Sequence, residues 1–316
     1  MFKKQYEPGL LSVEVVTLIY MIITAVMTLI WWNGITDPAM MMYWRGGVVV
    51  YMALAIGLYH LWPCRFMVAL RALPLLACLA QWYPETYEFC KQFPYQDHFF
   101  AAVDNLLFGC QPALEFDKWL SSTLWYEAFS MGYYAYYYMM MAVLLFYLIA
   151  RYHDFQRATF VFLTSFFIYY LIFEFLPVAG PQYYFCAVGV EKAQLDVFPE
   201  VGNYFRDHTD MLQLEPRGIF SRLVLAAQEA GEHPTAAFPS SHVGMSTVTM
   251  LLAWRSRNRL LFWIMVPFYL LLVCATVYIK AHYAIDSIAG FVTAVLFFHL
   301  TSGLYPLARD VFRLKK

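Results

Sequence analysis

Two histidine motifs stand in a chain otherwise built of apolar residues. They are Phe238-Pro-Ser-Ser-His242 and, forty residues later, His282-Tyr-Ala-Ile-Asp286. Residues four apart share one face of a helix. Asp286 is therefore expected to accept a proton-bearing ring nitrogen of His282 and leave the other nitrogen as a nucleophile. Attack by that nitrogen on a phosphorus ester would give a covalent phosphohistidine. The expelled alkoxide needs a proton, and His242 is the expected general acid, acting later as base towards an acceptor.

Phosphate binding is expected around the same residues. A helix that starts at Pro239-Ser-Ser-His242 leaves backbone N–H groups pointing at the site, where its dipole favours an anion. The hydroxyls of Ser240 and Ser241 add donors. The Leu176-Pro-Val-Ala-Gly-Pro-Gln182 turn brings Gly180 and Gln182 towards the same phosphate, and Lys280, two residues before His282, is the best-placed cation. Plainer readings stand beside these. A histidine at a membrane interface is often only a satisfied polar residue, the His/Asp pair could be a cap, and two histidines with one aspartate could bind zinc. A buried acid near a membrane is costly and usually marks function. Two histidine motifs and a Pro/Gly turn on one face favour catalysis, and no residue calls for a metal or cofactor.

The elements that must position these groups are membrane helices. Of 316 residues, 61% are hydrophobic and 14% charged, against about 25% charged in soluble domains. Net charge is −1, which gives no field for nucleic acid. Apolar runs near twenty residues predict eight spans, roughly 10–32, 44–62, 65–83, 126–150, 157–177, 242–254, 260–279 and 283–304. The third is weakened by Arg71 and Pro74, and the sixth is short. The expected class is an all-α, polytopic membrane bundle.

Basic residues accumulate in short cytoplasmic connections. Lys3 and Lys4, Arg65, Arg151 with Arg157, Arg255 with Arg257 and Arg259, and Arg309 to Lys316 all fall on one side of an eight-span chain. Both termini are thus expected in the cytoplasm of a cytoplasmic-membrane protein, with the histidine motifs on the external face. The first apolar run lacks a cleavage site and reads as a retained span. The long connection from 182 to 239, rich in aromatic residues, is expected to be ordered over the site. Residues 84–125 read as short amphipathic pieces on the membrane surface, anchored by Trp119 and Trp125. Cys90 and Cys110 share that external stretch, so a disulfide is open to them on an oxidising side. The tyrosine run 133–138 reads as packing and aromatic belt. Glu127 and Glu174 are expected to meet either an acceptor hydroxyl or a basic group, and Arg217 and Arg222 are expected to be solvated loop charges, with contact to phosphate as the alternative.

At Pro239-Ser-Ser-His242 and His282-Tyr-Ala-Ile-Asp286 the chain resembles the type 2 phosphatidic acid phosphatase superfamily. That resemblance implies a metal-free helix bundle with a six-helix catalytic core, His242 as acid, His282 as nucleophile and Asp286 as its orienting partner. The family's Lys-x6-Arg-Pro motif is missing. Its Ser-Arg pair ahead of the third-motif histidine is replaced by Ala275 and Thr276, and Ser241 stands where glycine is usual. In this the chain is more similar to the phosphotransferase branch, inositol phosphorylceramide synthase and sphingomyelin synthase, in a bacterial form. Asp104-Asn-Leu-Leu-Phe-Gly109, Gln111-Pro112, Glu127 and the turn at 176–181 add to that likeness. The resemblance implies N-terminal helices over 1–103, a catalytic membrane domain over 104–304 and a basic tail over 305–316. The implied activity moves a phospho-head group from a phospholipid donor to a lipid alcohol such as ceramide. With water as acceptor the same machinery is a lipid phosphatase; a transporter or flippase is the reading from another class.

Overall fold

The computed structural model describes residues 9–212 and 214–310. Lys3, Lys4, Arg313, Lys315 and Lys316, which carry part of the expected orientation, lie outside them. The described chain is helical and contains no strand. Its first helices are α1 (Ser12–Ile30), α2 (Pro38–Leu61), α3 (Arg65–Ala77) and α4 (Leu79–Cys90), followed by the surface helices α5 (Asp97–Phe108) and α6 (Pro112–Trp119). Two long helices come next, α7 (Thr123–Ala150) and α8 (Tyr152–Phe175). The long connection holds α9 (Pro181–Val188), α10 (Val190–Gln194) and α11 (Ile219–Gly231). The chain closes with α12 (Ser241–Arg255), α13 (Arg259–Tyr278) and α14 (Ala284–Asp310), which continues through 305–310 of the expected tail.

Seven helical segments are long and apolar enough to cross a membrane: α1, α2, the joined α3–α4, α7, α8, α13 and α14. The protein is an all-α polytopic bundle. The eighth expected span is α12, and it differs. At 15 residues it reaches about 22 Å, short of the ~30 Å hydrocarbon layer. It contacts α7, α8, α13 and α14 and is buried along nearly its whole length. Its first turn carries His242 and its last residue is Arg255. There Arg255 and Arg157 line a small recess with Tyr147 and Ser302. α12 thus runs from the histidines to a basic end of the bundle. Gly290 of α14 lets it approach closely, because a Cβ there would lie 2.4 Å from the Ser240 carbonyl oxygen.

The third span runs further than its hydropathy suggested, to Cys90, with a break at Cys78. Pro74 has no N–H for the Leu70 carbonyl, and the Tyr51 hydroxyl donates to that oxygen instead. Arg71 is held by Glu14 at 2.6 Å, both fully buried, and Arg45 pairs with Glu85 at 2.8 Å. Tyr20 of α1 donates to Glu174 of α8 at 3.0 Å, so Glu174 meets a hydroxyl of the N-terminal helices. One hydrophobic core runs continuously from α1 through α8 to α14.

The described residues of the long connection are held to the bundle by bonds of their own. Tyr87 donates to the Phe205 carbonyl at 2.7 Å, Arg206 to the Lys91 carbonyl at 2.7 Å, and Tyr184 to the Pro199 carbonyl at 2.9 Å. Glu127 receives the N–H groups of Phe220 and Ser221 at 2.9 and 3.1 Å, fixing the start of α11 on α7. The six cysteines are free. Cys90 is buried beside Tyr95, and α5, about 18 Å long, separates it from Cys110, so the two do not pair.

Arg71→Met is expected to destabilise the protein by about 3–5 kcal/mol, because it strands a buried carboxylate. The double change Arg71→Met with Glu14→Leu should recover most of that loss. Thermal unfolding midpoints in detergent check both; a wild-type midpoint for the single variant would refute the account.

Candidate active site

His282 lies in the link between α13 and α14, where its backbone N–H donates to the Thr276 carbonyl at 3.0 Å. Its Nδ1 is 2.8 Å from the Ala237 carbonyl oxygen. A carbonyl only accepts, so Nδ1 carries the hydrogen and Nε2 keeps its lone pair. That Nε2 faces Nδ1 of His242 at 3.4 Å. The two motifs therefore meet, ring to ring, with centroids 5.6 Å apart. Burial lowers the His282 pKa to about 4, so the ring is neutral, and its lone pair available, at neutral pH.

His242 rests on two rings of the tyrosine run. Tyr133 stacks on it at 4.6 Å and Tyr136 lies tilted at 4.8 Å. Both tyrosines are buried, whereas Tyr137 and Tyr138 are half exposed. The run expected to be packing and belt is thus divided: one face walls the histidine, the other faces outwards.

The orienting arrangement differs from the expected one. Asp286 is buried, and its Oδ2 accepts from the Tyr283 N–H at 2.8 Å, closing the turn ahead of α14. It lies 3.8 Å from His282 Nδ1, too far for a hydrogen bond, and the Ala237 carbonyl orients the ring. The backbone explains the change: His282 precedes α14 instead of occupying it, so helical i,i+4 geometry does not apply. Asp286 stands at ion-pairing distance, where it can balance positive charge on the ring.

Other expected phosphate ligands have partners of their own. Ser240 caps α12, its Oγ accepting from the Val243 N–H at 3.3 Å, while its N–H donates to the Asp286 carbonyl at 3.0 Å. Ser241 begins α12, and its hydroxyl has no partner among the described residues. Gly180, with φ of 97°, gives its N–H to Asp97 at 2.8 Å, so that donor is not free for phosphate. Its φ and the 2.6 Å between an added Cβ and the Ala281 carbonyl oxygen require glycine. Gln182 donates its N–H to the Lys280 carbonyl at 2.9 Å, and its amide oxygen accepts from Gln228 at 3.3 Å. Lys280 extends to Asp117 at 2.5 Å, so its charge is already balanced. Arg217 donates to the Ser121 carbonyl and lies over Tyr126, away from the histidines.

Two acids of α5 hold this arrangement together, and the motifs gave no hint of one of them. Asp97 accepts from the N–H groups of Ala179 and Gly180 at 2.9 and 2.8 Å and from the Tyr283 hydroxyl at 3.2 Å. Seven residues on, Asp104 accepts from the N–H groups of Ala284 and Ile285 at 2.8 and 2.9 Å. It therefore caps α14 directly behind His282. Burial raises Asp97 to about 7 and Asp104 to about 6, against the opposing pull of those bonds. A buried acid pair on one helix face was the sequence signal for both. The Ala237 carbonyl left none.

Two neutral imidazoles in contact, a buried carboxylate and the start of α12 form a site suited to phosphoryl transfer through histidine. Residues 98–300 match the PAP2 superfamily, and the chain belongs to that superfamily, whose members are phosphatases or phosphotransferases. No curated protein and no solved structure matches it.

Asp104→Ala is expected to leave the Ala284 and Ile285 N–H groups unpaired and to cost about 1–2 kcal/mol. Asp104→Asn, which keeps one acceptor, should lose less. Thermal unfolding of both variants beside wild type measures this; equal midpoints for all three would refute the capping role.

Proposed function

We propose that the protein transfers a phospho-head group from a phospholipid to a lipid alcohol, through a phosphohistidine at His282. One observation carries the choice of transferase over phosphatase. Among the described residues the site offers no uncommitted lysine or arginine: Ala275 and Thr276 occupy the positions of the family's Ser-Arg pair, and Lys280 is paired with Asp117. A phosphomonoester arrives with close to two negative charges and a phosphodiester with one. Beside buried Asp286, without a free cation, the second charge is costly. The site is therefore better matched to a diester donor. The resemblance to inositol phosphorylceramide synthase supports the same class and a ceramide-type acceptor.

In the first step His282 Nε2 bonds to phosphorus and the bond from phosphorus to the glycerol oxygen breaks. His242, which burial and the neighbouring His282 hold neutral in the free enzyme, takes a proton when the anion binds and gives it to that oxygen, and diacylglycerol leaves. The Nδ1–H stays with the Ala237 carbonyl, and Asp286 balances the positive ring. In the second step the acceptor hydroxyl gives its proton to His242 and bonds to phosphorus, while the bond to Nε2 breaks. The N–H groups at the start of α12 hold the phosphoryl oxygens. The basic end of α12 supports a cytoplasmic placement of that end, and hence a site on the external face of the cytoplasmic membrane.

Purified enzyme with a head-group-labelled phospholipid and ceramide should yield a labelled new lipid, and His282→Ala none. Free phosphate released rapidly from phosphatidate, with no transfer, would establish the phosphatase. Absence of any turnover across several donors would point to a transporter.

The pH profile gives a separate check. Protonation of His282 removes its lone pair, and its pKa is lowered to about 4. The acid limb of labelled phosphoenzyme formation, which reports loss of the His282 lone pair, should therefore lie below about pH 5, while the alkaline limb reports loss of the proton that His242 must donate. An acid limb near the ordinary histidine value of about 6.5 would contradict the buried, neutral ring.

A further inference from the structure

Glu232 is a charged group that the transfer chemistry leaves unused, on the link that leads to Ala237. It ends α11, its N–H donating to the Gln228 carbonyl at 2.9 Å. Five residues later the same link delivers the Ala237 carbonyl to His282. The carboxylate lies against the amides of Gln182 and Gln228, and Gln182 is bonded through its backbone to Lys280. Its charge also acts on the rings of Tyr83, Tyr133, Tyr137 and Tyr183, and Tyr133 is the ring that stacks on His242. The Oε2 atom is buried and has no hydrogen-bond partner.

No lysine or arginine among the described residues pairs with this carboxylate. Lys280 is held by Asp117 and Lys91 by Glu88. Arg217 is held by the Ser121 carbonyl, and Arg222 acts on Glu127. We propose that Glu232 receives the ammonium group of an amine-bearing phospholipid whose phosphate lies at His282. The proposal rests on the donor being a phosphodiester lipid, as argued above, and adds its head-group class.

The physical case has three parts. A carboxylate that has two amide donors but no counter-ion, and one oxygen buried without a hydrogen bond, is unfavourable, and an ammonium supplies both the charge and a donor for Oε2. Phenol oxygens accept from such a donor, and phenol rings attract a cation. A zwitterionic donor also brings the positive charge that the site lacks. Burial raises the Glu232 pKa to about 7, as befits an acid with no resident counter-ion. A neutral polyol head group, the class implied by the inositol resemblance, would leave that charge unbalanced.

Chain-matched phosphatidylethanolamine and phosphatidylglycerol, offered to wild type and Glu232→Gln, test this. Wild type should use the ethanolamine lipid with a kcat/KM about tenfold higher. In Glu232→Gln that ratio should fall towards one, through KM. Equal use of both lipids by wild type would overturn the proposal, as would a kcat loss in the variant that is the same for both. A binding arm separates this from failure of the transfer reading. His282→Ala protein, which has no nucleophile, is titrated with each lipid in mixed micelles, with and without Glu232→Gln. Selective, Glu232-dependent binding of the ethanolamine lipid sustains the head-group site even if wild type proves to be a phosphatase; unselective binding overturns it.

Discussion

The arrangement depends on two carboxylates of a short surface helix satisfying backbone N–H groups from segments far away in sequence. Asp97 gathers Ala179, Gly180 and Tyr283; Asp104 gathers Ala284 and Ile285. These contacts join the Pro/Gly turn, the link bearing His282 and the start of α14. Buried N–H groups must find acceptors, and a turn and a helix start expose several at once. An acid able to take two of them rigidifies both segments, and rigid segments are what hold His282 Nε2 3.4 Å from His242 Nδ1.

Charge is handled differently in the two halves of the bundle. Among the N-terminal helices the buried acids are paired, Glu14 with Arg71 and Glu85 with Arg45. Around the histidines the acids are balanced by N–H dipoles, or, for Glu232, left without a cation. Paired charges inside a membrane fix helix register and expose little for chemistry. Unpaired ones make a site receptive to a ligand that brings the missing charge. The commitment of Lys280 to Asp117 sharpens this contrast, since it withdraws the lysine two residues ahead of His282.

α12 shows how packing overrides a simple hydropathy reading. It is too short to cross a full bilayer, and its Ser/Thr-rich sequence is only mildly apolar. It is stable there because four longer helices enclose it and its hydroxyls bond back to its own carbonyls, as Ser246 does to His242 and Thr247 to Val243. A buried central helix need not match the lipid thickness. Its length is set by the distance from the histidine pair to the basic end at Arg255.

Seven of the eight expected spans, the helical class and the meeting of His242 with His282 were legible in the sequence. Apolar run length is imposed by the membrane, and the motif residues are local in sequence. Asp97 was not foreseen, and Asp286 was assigned an orienting bond that Ala237 makes instead. Gly180 and Lys280 were placed on phosphate although Asp97 and Asp117 take their polar atoms. Each of these turns on which of several acceptors lies nearest a donor in space, and sequence spacing carries that information only inside a regular helix. Composition and spacing thus determined a membrane bundle with two histidine motifs that meet. Tertiary packing alone decided the tautomer of His282, the partner of every nearby charge and the carboxylate left without one, because those depend on contacts between segments from 45 to 186 residues apart.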